Sequence, residues 1–292
     1  GLLLRAYLGF SYLLPPLAKL VLRRRLRRGK EHPVRWQEKC GRNLSPRPKG
    51  KLIWFHAVGL GEVLSLRGLI LRLSEQRQDL SFLVTSPTRA SAEVFEKNAP
   101  PRTIHQFLPI DAPTFRRRFL SHFKPDLCVW VEQDIWPGFV SDMRDAGIPQ
   151  CLVAARMNTR SAKSHDRARQ LFRDIYGAME FVTAQDDVTE RSLASFGVTA
   201  KITGSLKPTA PPLSSEEAAF TALKQTIGKR FAWAVAPAHP EDILIAEQAH
   251  EYLRKKLPDA LLIIAPRFIE TIAARQDPRW SEGEFPRPEN PI

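Results

Sequence analysis

Several features that commonly mark a functional site are missing from this 292-residue chain, and each absence removes a class of chemistry. Only three cysteines occur, Cys40, Cys128 and Cys151, an odd number with no C-x-x-C pair. That excludes a disulfide framework and a zinc ribbon, and a reducing compartment suits the chain. Cys128 and Cys151 lie in apolar runs and read as small buried hydrophobes. No His/Cys/Asp cluster has metal-ligand spacing, so no metal is expected. The patterns G-x-G-x-x-G, G-x-x-x-x-G-K-[ST] and G-x-S-x-G are also absent, which removes the usual dinucleotide, P-loop and hydrolase-elbow sites. Long apolar runs are lacking too: the longest uncharged stretch, Ala6 to Ala18, is short of the roughly 20 residues a spanning helix needs.

Acidic residues are scarce in one region only. Residues 1–51 hold 14 Lys and Arg against Glu31 and Glu38, a balance of +12, so the other 241 residues carry just +1 of the net +13. The basicity is therefore local, and a general nucleic-acid-binding surface is not expected. It follows an apolar segment: L-L-L-R-A-Y-L-G-F-S-Y-L-L-P-P-L-A-K-L-V-L leads into R-R-R-L-R-R-G-K. A cleavable signal peptide has the opposite order of charge and apolar residues. Residues 1–30 read as a membrane-anchor or interfacial helix, with its Arg cluster on the anionic lipids of a cytoplasmic leaflet. A buried helix with a solvated basic tail is the plainer reading.

From Lys51 onward apolar strand-like runs alternate with helical patterns. The strands are Leu52–Phe55, Ser81–Thr85, Ile104–Phe107, Leu127–Val131, Gln150–Ala154, Phe181–Ala184 and Lys201–Thr203, with helices near 61–77, 88–98, 113–123, 138–146, 160–178 and 187–196. This β-then-α alternation predicts an α/β fold with a doubly wound parallel sheet, a Rossmann-type domain over residues 31–206. The Pro-rich segment within 207–214 reads as a linker. A partial second Rossmann-type domain is expected over 215–292: a helix near 215–228, strand Phe231–Val235, helix 241–256 and strand Leu261–Ala265, then a Pro- and charge-rich tail. Two strands do not make a stable parallel sheet, so the chain is expected to be a piece of a longer protein.

If the strands follow the order 3-2-1-4-5, the loops after the first and fourth strands meet at the topological switch point, where ligands bind. The first loop is His56-Ala-Val-Gly-Leu-Gly61-Glu62 and the second is Glu132-Gln-Asp134-Ile-Trp136-Pro137. Glu62 and Glu132 become candidates for a carboxylate pair whose members divide base and electrostatic roles. Helix-dipole preference alone also accounts for a Glu in a first helical turn, and Glu132 fits equally an anchor for its own loop. Arg156 and Arg160, after the fifth strand, suit an anion or ordinary surface salt bridges. Lys207 follows the last strand of the first domain and is expected to reach an interdomain cleft. His239 and Arg267 follow the two strands of the second domain, where a phosphate would bind.

As an ordered set these segments resemble the Kdo transferases, which attach 3-deoxy-D-manno-octulosonic acid to the lipid A precursor. The set runs from the apolar-basic start and R-W-Q-E-K-C-G-R at 35–42, through H-A-V-G-L-G-E and E-Q-D-I-W-P at 132–137, to A-R-M-N-T-R-S at 155–161 and T-G-S-L-K at 203–207. The resemblance implies a GT-B-like arrangement of two Rossmann-type domains, the first for the acceptor (lipid IVA) and the second for CMP-Kdo, with inverting transfer and no cofactor. It implies Glu62 as general base and Glu132 as a supporting residue, acceptor contacts at His56, Gly61, Arg156 and Arg160, and donor contacts at Lys207, His239 and Arg267. It also implies a seat on the cytoplasmic face of the bacterial inner membrane. The sequence departs from the family pattern at His239, where A-P-A-H-P-E-D lacks the Ser and Thr of the family's S-T-H segment, and in four other places. Gly59 stands for a usual Ser, Asp134 for a Glu, Gly138 for an Asn, and Phe268 for the His after A-P-R. The family's remaining donor-binding segments have no counterpart before Ile292, so the 292 residues alone are expected to be inactive. A non-catalytic lipid- or anion-binding module on the same fold is the alternative reading.

Overall fold

The computed structural model of the protein describes residues 1–209 and 217–268, and the chain divides into two compact units, Gly1–Pro211 and Pro212–Ile292. The first unit opens with α1 (Leu2–Ser11) and α2 (Leu14–Arg27), followed by a 3-10 turn at Arg35–Cys40. Then come β1 (Lys51–His56), α3 (Leu60–Gln76), β2 (Leu80–Ser86), α4 (Arg89–Lys97), β3 (Thr103–Phe107), α5 (Pro113–Phe123), β4 (Leu127–Val131) and α6 (Pro137–Asp145). The unit closes with β5 (Gln150–Ala155), α7 (Thr159–Asp166), α8 (Arg169–Tyr176), β6 (Phe181–Ala184), α9 (Asp187–Ala194) and β7 (Lys201–Ile202).

The seven strands form one sheet in the order β3-β2-β1-β4-β5-β6-β7, and every pairing is parallel. The chain thus reverses direction across the sheet between β1 and β4, which are hydrogen-bonded neighbours with His56 opposite Trp130. Period-two alternation builds a core on each face. Leu52, Trp54, Cys128 and Trp130 join Phe119 and Phe139 of α5 and α6 on one side. Phe55, Val129 and Val131 join Val63, Leu66 and Ile70 of α3 on the other. All three cysteines are free and buried, and burial pushes their thiols up.

Residues 1–30 depart from the expected single helix. Proline fits the first turn of a helix but not its interior, and Pro15 and Pro16 fall in the first turn of α2, so the run breaks at Tyr12-Leu13. Leu4 and Ser11 of α1 and Ala18 and Leu22 of α2 are buried against the first unit. Phe10, Leu13, Leu17 and Leu20 stay exposed. Among the described residues no helix is long and apolar enough to cross a membrane. Two further differences are local. The helix expected over 160–178 is interrupted at Ala168 (φ −121°, ψ 35°), where His165 stacks on Phe172 across the break. The last strand keeps only Lys201 and Ile202.

A buried polar knot ties α1 to the sheet. Asp111 accepts hydrogen bonds from the Tyr7 hydroxyl (2.7 Å) and the Gly138 N–H (2.8 Å), and Arg116 bridges Asp111 and Asp142. A Cβ on Gly138 would meet the Arg116 guanidinium, with Cζ at 2.6 Å, and the Asp111 carboxylate. Gly138 is thus a packing requirement of this knot. Gly138→Asn is expected to destabilise the protein by about 1–3 kcal/mol through overpacking, read as a lower urea midpoint with unchanged m.

The second unit holds α10 (Glu217–Ile227), β8 (Ala232–Ala238), α11 (Pro240–Arg254) and β9 (Leu261–Pro266), with β8 and β9 parallel. The tail expected over Asp277 to Ile292 and linker residues 210–214 lie outside the described residues.

Candidate active site

The crevice forms where β1 and β4 end side by side. After His56 the chain turns through Ala57, Val58 and Gly59, which caps α3 in an extended conformation (φ −73°, ψ 150°). Glu62, in the first turn of α3, folds back so that its Oε2 accepts the Val58 N–H at 3.0 Å. Its Oε1 lies 3.0 Å from where a Cβ on Gly59 would stand. One carboxylate oxygen is thus fixed by the backbone. The other has a glycine, not a side chain, beside it.

Glu132 directly follows Val131, the last residue of β4. It adopts φ 62°, in the left-handed region that non-glycine residues seldom occupy, and its N–H donates to the Val153 carbonyl at 3.1 Å. Backbone strain of this kind costs on the order of 1 kcal/mol and concentrates at functional sites. Burial and the negative charge of Glu62 push the Glu132 carboxyl up, while Lys207, the Gln185 amide and Arg156 oppose that rise. Glu132 thus lies within reach of the Glu62 charge, with Lys207 and Arg156 beside it.

Asp134, two residues along the same loop, is drawn the other way. Burial raises its carboxyl, but contacts with His56 and the Trp136 indole N–H (3.1 Å) bring it below the usual carboxylate range. His56 Nε2 lies 3.4 Å from Asp134 and Nδ1 lies 2.9 Å from the Thr85 hydroxyl. His56 is fully buried with both ring nitrogens engaged, so it offers no atom to a ligand. His56, expected as an acceptor contact, is the last residue of β1 and holds Asp134 of the acidic loop.

Lys207 lies near the acidic pair. It belongs to a 3-10 turn, Lys207–Thr209, that packs on α3, where a Cβ on Gly68 would strike the Thr209 carbonyl, with its carbon at 2.7 Å. Gly61, one and a half to two turns earlier on the same helix, leaves room for the Lys207 stem, whose Cε would stand 3.8 Å from a Cβ there. Lys207 thus joins the acidic pair within the first unit, and the segment expected to begin a linker is packed structure. Lys207→Met is expected to raise the Glu132 carboxyl further, because it removes a cation that favours the ionised form. Carboxyl-carbon NMR titration of the two proteins reads the upward shift directly.

Arg156 is exposed after β5 and acts on both Glu132 and Asp186. Arg160 is exposed in the first turn of α7, whose N-cap Asn158 accepts the Ser161 N–H at 2.8 Å. Gln185 and Asp186, just past β6, were not singled out from the sequence, although their position after a strand was a signal for them. His239 and Arg267 come together in the second unit. The Arg267 N–H donates to the Ala238 carbonyl at 2.8 Å, and His239 caps α11, its N–H donating to Asp242 at 2.9 Å. Among the described residues no group of three or more His, Cys, Asp or Glu could hold a metal ion.

A sequence profile for the family described as 3-deoxy-D-manno-octulosonic-acid transferase (kdotransferase) matches residues 34–210, which include every crevice residue named above. The Arabidopsis thaliana protein named probable 3-deoxy-D-manno-octulosonic acid transferase, mitochondrial, is 30% identical over 271 residues, covering 90% of this chain and 61% of that protein. The 3-deoxy-D-manno-octulosonic acid transferase of Rickettsia bellii is 29% identical over 279 residues, covering 94% and 66%. That of Haemophilus influenzae is 27% identical over 232 residues, covering 77% and 53%. The chain thus spans 61% and 66% of the first two relatives' length. In fold it is similar to the UDP-GlcNAc 2-epimerase of Neisseria meningitidis, with TM-score 0.53 and 16% identity over 73% of this chain and 64% of that one. That likeness agrees with the GT-B-like parallel α/β class expected from the strand pattern.

Proposed function

The chain belongs to the 3-deoxy-D-manno-octulosonic-acid (Kdo) transferase family, and from that premise we propose that it serves a glycosyltransferase moving Kdo from CMP-Kdo to the lipid A precursor, lipid IVA, with inversion. One observation carries the reading: Glu62 and Glu132, at the carboxyl ends of adjacent strands, interact electrostatically beside Lys207 and Arg156. An inverting transfer needs one carboxylate to take the proton of the attacking hydroxyl. Glu62 is that base. As the acceptor oxygen bonds to the sugar carbon, the bond to CMP breaks and CMP leaves with the electron pair, while the hydroxyl proton passes to Glu62. Glu132 keeps the neighbouring field negative, and Lys207 and Arg156 hold the anionic groups of the acceptor.

In this reading residues 31–206 form the acceptor domain and 215–292 part of the donor domain, where His239 and Arg267 meet the phosphate of CMP-Kdo. No cofactor is invoked. The exposed apolar residues of α1 and α2, backed by five Arg among residues 23–28, support a peripheral seat on the cytoplasmic face of the bacterial inner membrane, where the lipid acceptor is held.

The test is transfer by the full-length protein from CMP-Kdo to lipid IVA in detergent micelles, with the product's anomeric configuration read by NMR. Inverted product is expected. Retained configuration overturns the assigned chemistry, and acceptor binding without transfer would leave the non-catalytic module instead.

A further inference from the structure

Away from the acidic crevice, α2, the Arg35–Cys40 turn and Arg42 line a small cleft of about 180 Å³. Its lining is Lys19 and Arg23 from α2, Trp36, Gln37 and Cys40 from the turn, and Arg42 just beyond it. A fourth cation, Arg118 of α5, stands at the edge, its guanidinium 3.5 Å from the Cys40 carbonyl. No carboxylate lines the cleft, and none of these four cations forms an ion pair among the described residues. The nearby acids are committed elsewhere: Glu31 pairs with Arg25 and Lys39, and Glu38 pairs with Arg35 and accepts the Phe107 N–H.

The convergence of charge is a product of packing. Ala18 and Leu22 are buried with Cys40, Ala112 and Phe115 in one apolar cluster. Seating those two residues brings Lys19 and Arg23, their helical neighbours one turn apart, to the same edge of α2. At the floor, burial pushes the Cys40 thiol up while Lys19, Arg42, Arg118 and Arg23 each pull against that rise. Four like charges held together without a counter-charge repel one another, and an anion relieves that repulsion.

We propose that this cleft is a binding site for a phosphate ester, separate from the Glu62 crevice. Its size limits the ligand. A volume near 180 Å³ corresponds to about six waters at roughly 30 Å³ each, enough for a phosphoryl group and its first ester atoms but below the ~300 Å³ of a typical drug-sized pocket. Two Arg and one Lys at the wall supply forked and point donors for phosphate oxygens, Gln37 adds an amide and Trp36 an apolar side. The ester can come from a soluble metabolite or from a lipid headgroup. Leu17 and Leu20, exposed on the helix that carries Lys19 and Arg23, put the lipid source within reach.

The test uses the full-length protein and two probes: glycerol 3-phosphate by calorimetry, and phosphatidylglycerol against phosphatidylcholine vesicles by cosedimentation. Arg23→Gln/Arg42→Gln removes two cleft cations; Arg27→Gln/Arg28→Gln removes the same charge from α2 and the residue after it, outside the cleft. All four side chains are exposed, so both variants are expected to fold, as circular dichroism checks. The cleft variant should lose saturable glycerol 3-phosphate binding, or lose affinity for phosphatidylglycerol vesicles about tenfold more than the control. A loss in the first arm identifies a soluble ester as a ligand, and a loss in the vesicle arm alone identifies the headgroup. No saturable binding of glycerol 3-phosphate together with equal vesicle losses in the two variants overturns the proposal, because unlocalised surface charge then explains all binding.

Discussion

Glu62→Gln in the full-length protein is expected to lower Kdo transfer about 10²–10⁴-fold, the usual contribution of a positioned base, with the fold and acceptor binding unchanged. Glutamine has the shape of glutamate, and its amide oxygen can still accept the Val58 N–H that holds Glu62 Oε2 at 3.0 Å. The start of α3 should therefore survive. What is lost is the capacity to accept a proton, so kcat should fall and KM for lipid IVA should change little. A second readout separates this role from a structural one. The charge of Glu62 is one of the causes that push Glu132 up, so Glu132 should titrate lower in the variant. Glu62→Gln/Glu132→Gln should cost less than the product of the single losses, because the pair acts as a unit. Turnover within a few-fold of wild type would remove Glu62 from the chemistry.

The pairing of Glu62 with Glu132 was legible in the sequence because it depends on topology alone. Alternating strand and helix patterns imply a doubly wound sheet, and its switch point brings the first and fourth strand ends together. The observed pairing of β1 with β4 meets that expectation. The proximity of Lys207 to Glu132 could not be read from the sequence, because it depends on a close approach between distant segments. Only the bare backbone of Gly68 admits the Thr209 carbonyl, whose carbon would stand 2.7 Å from a Cβ there. The burial of His56 was not legible either, because its partners are Thr85 of the next strand and Asp134 of the fourth-strand loop. Three arginines stand together at 116–118 in α5. Yet Arg116, one residue from buried Phe115 and three from buried Phe119, turns inward and is itself buried. The apolar start hid a similar division. Leu4, Ser11, Ala18 and Leu22 recur at helical spacing and are buried, while Leu13, Leu17 and Leu20 remain exposed.

The largest loss of stability is expected from Arg116→Met. Arg116 and Asp111 are almost wholly buried, and the guanidinium donates to the Asp111 carbonyl at 2.9 Å and to Asp142 at 2.7 Å. Methionine fills part of the volume but leaves Asp111 with only the Tyr7 hydroxyl and the Gly138 N–H. Removing one partner of a buried ion pair costs about 3–5 kcal/mol because the remaining charge is uncompensated. Adding Asp111→Asn should recover much of that loss: the amide oxygen can still accept from Tyr7 and Gly138, and no buried charge remains. The pH dependence identifies the cause. Burial already holds the Asp111 carboxyl above its ordinary value, against the pull of Tyr7 and Arg116, and losing Arg116 raises it further. The folded variant then binds a proton that the unfolded chain releases at lower pH, so its stability falls as pH rises from the unfolded carboxyl value towards the raised folded one. Urea unfolding at a series of pH values should show Arg116→Met losing stability over that interval relative to wild type, with the dependence removed in Asp111→Asn/Arg116→Met. A loss of equal size at every pH would assign the effect to packing and leave the charge of Asp111 without a part in it.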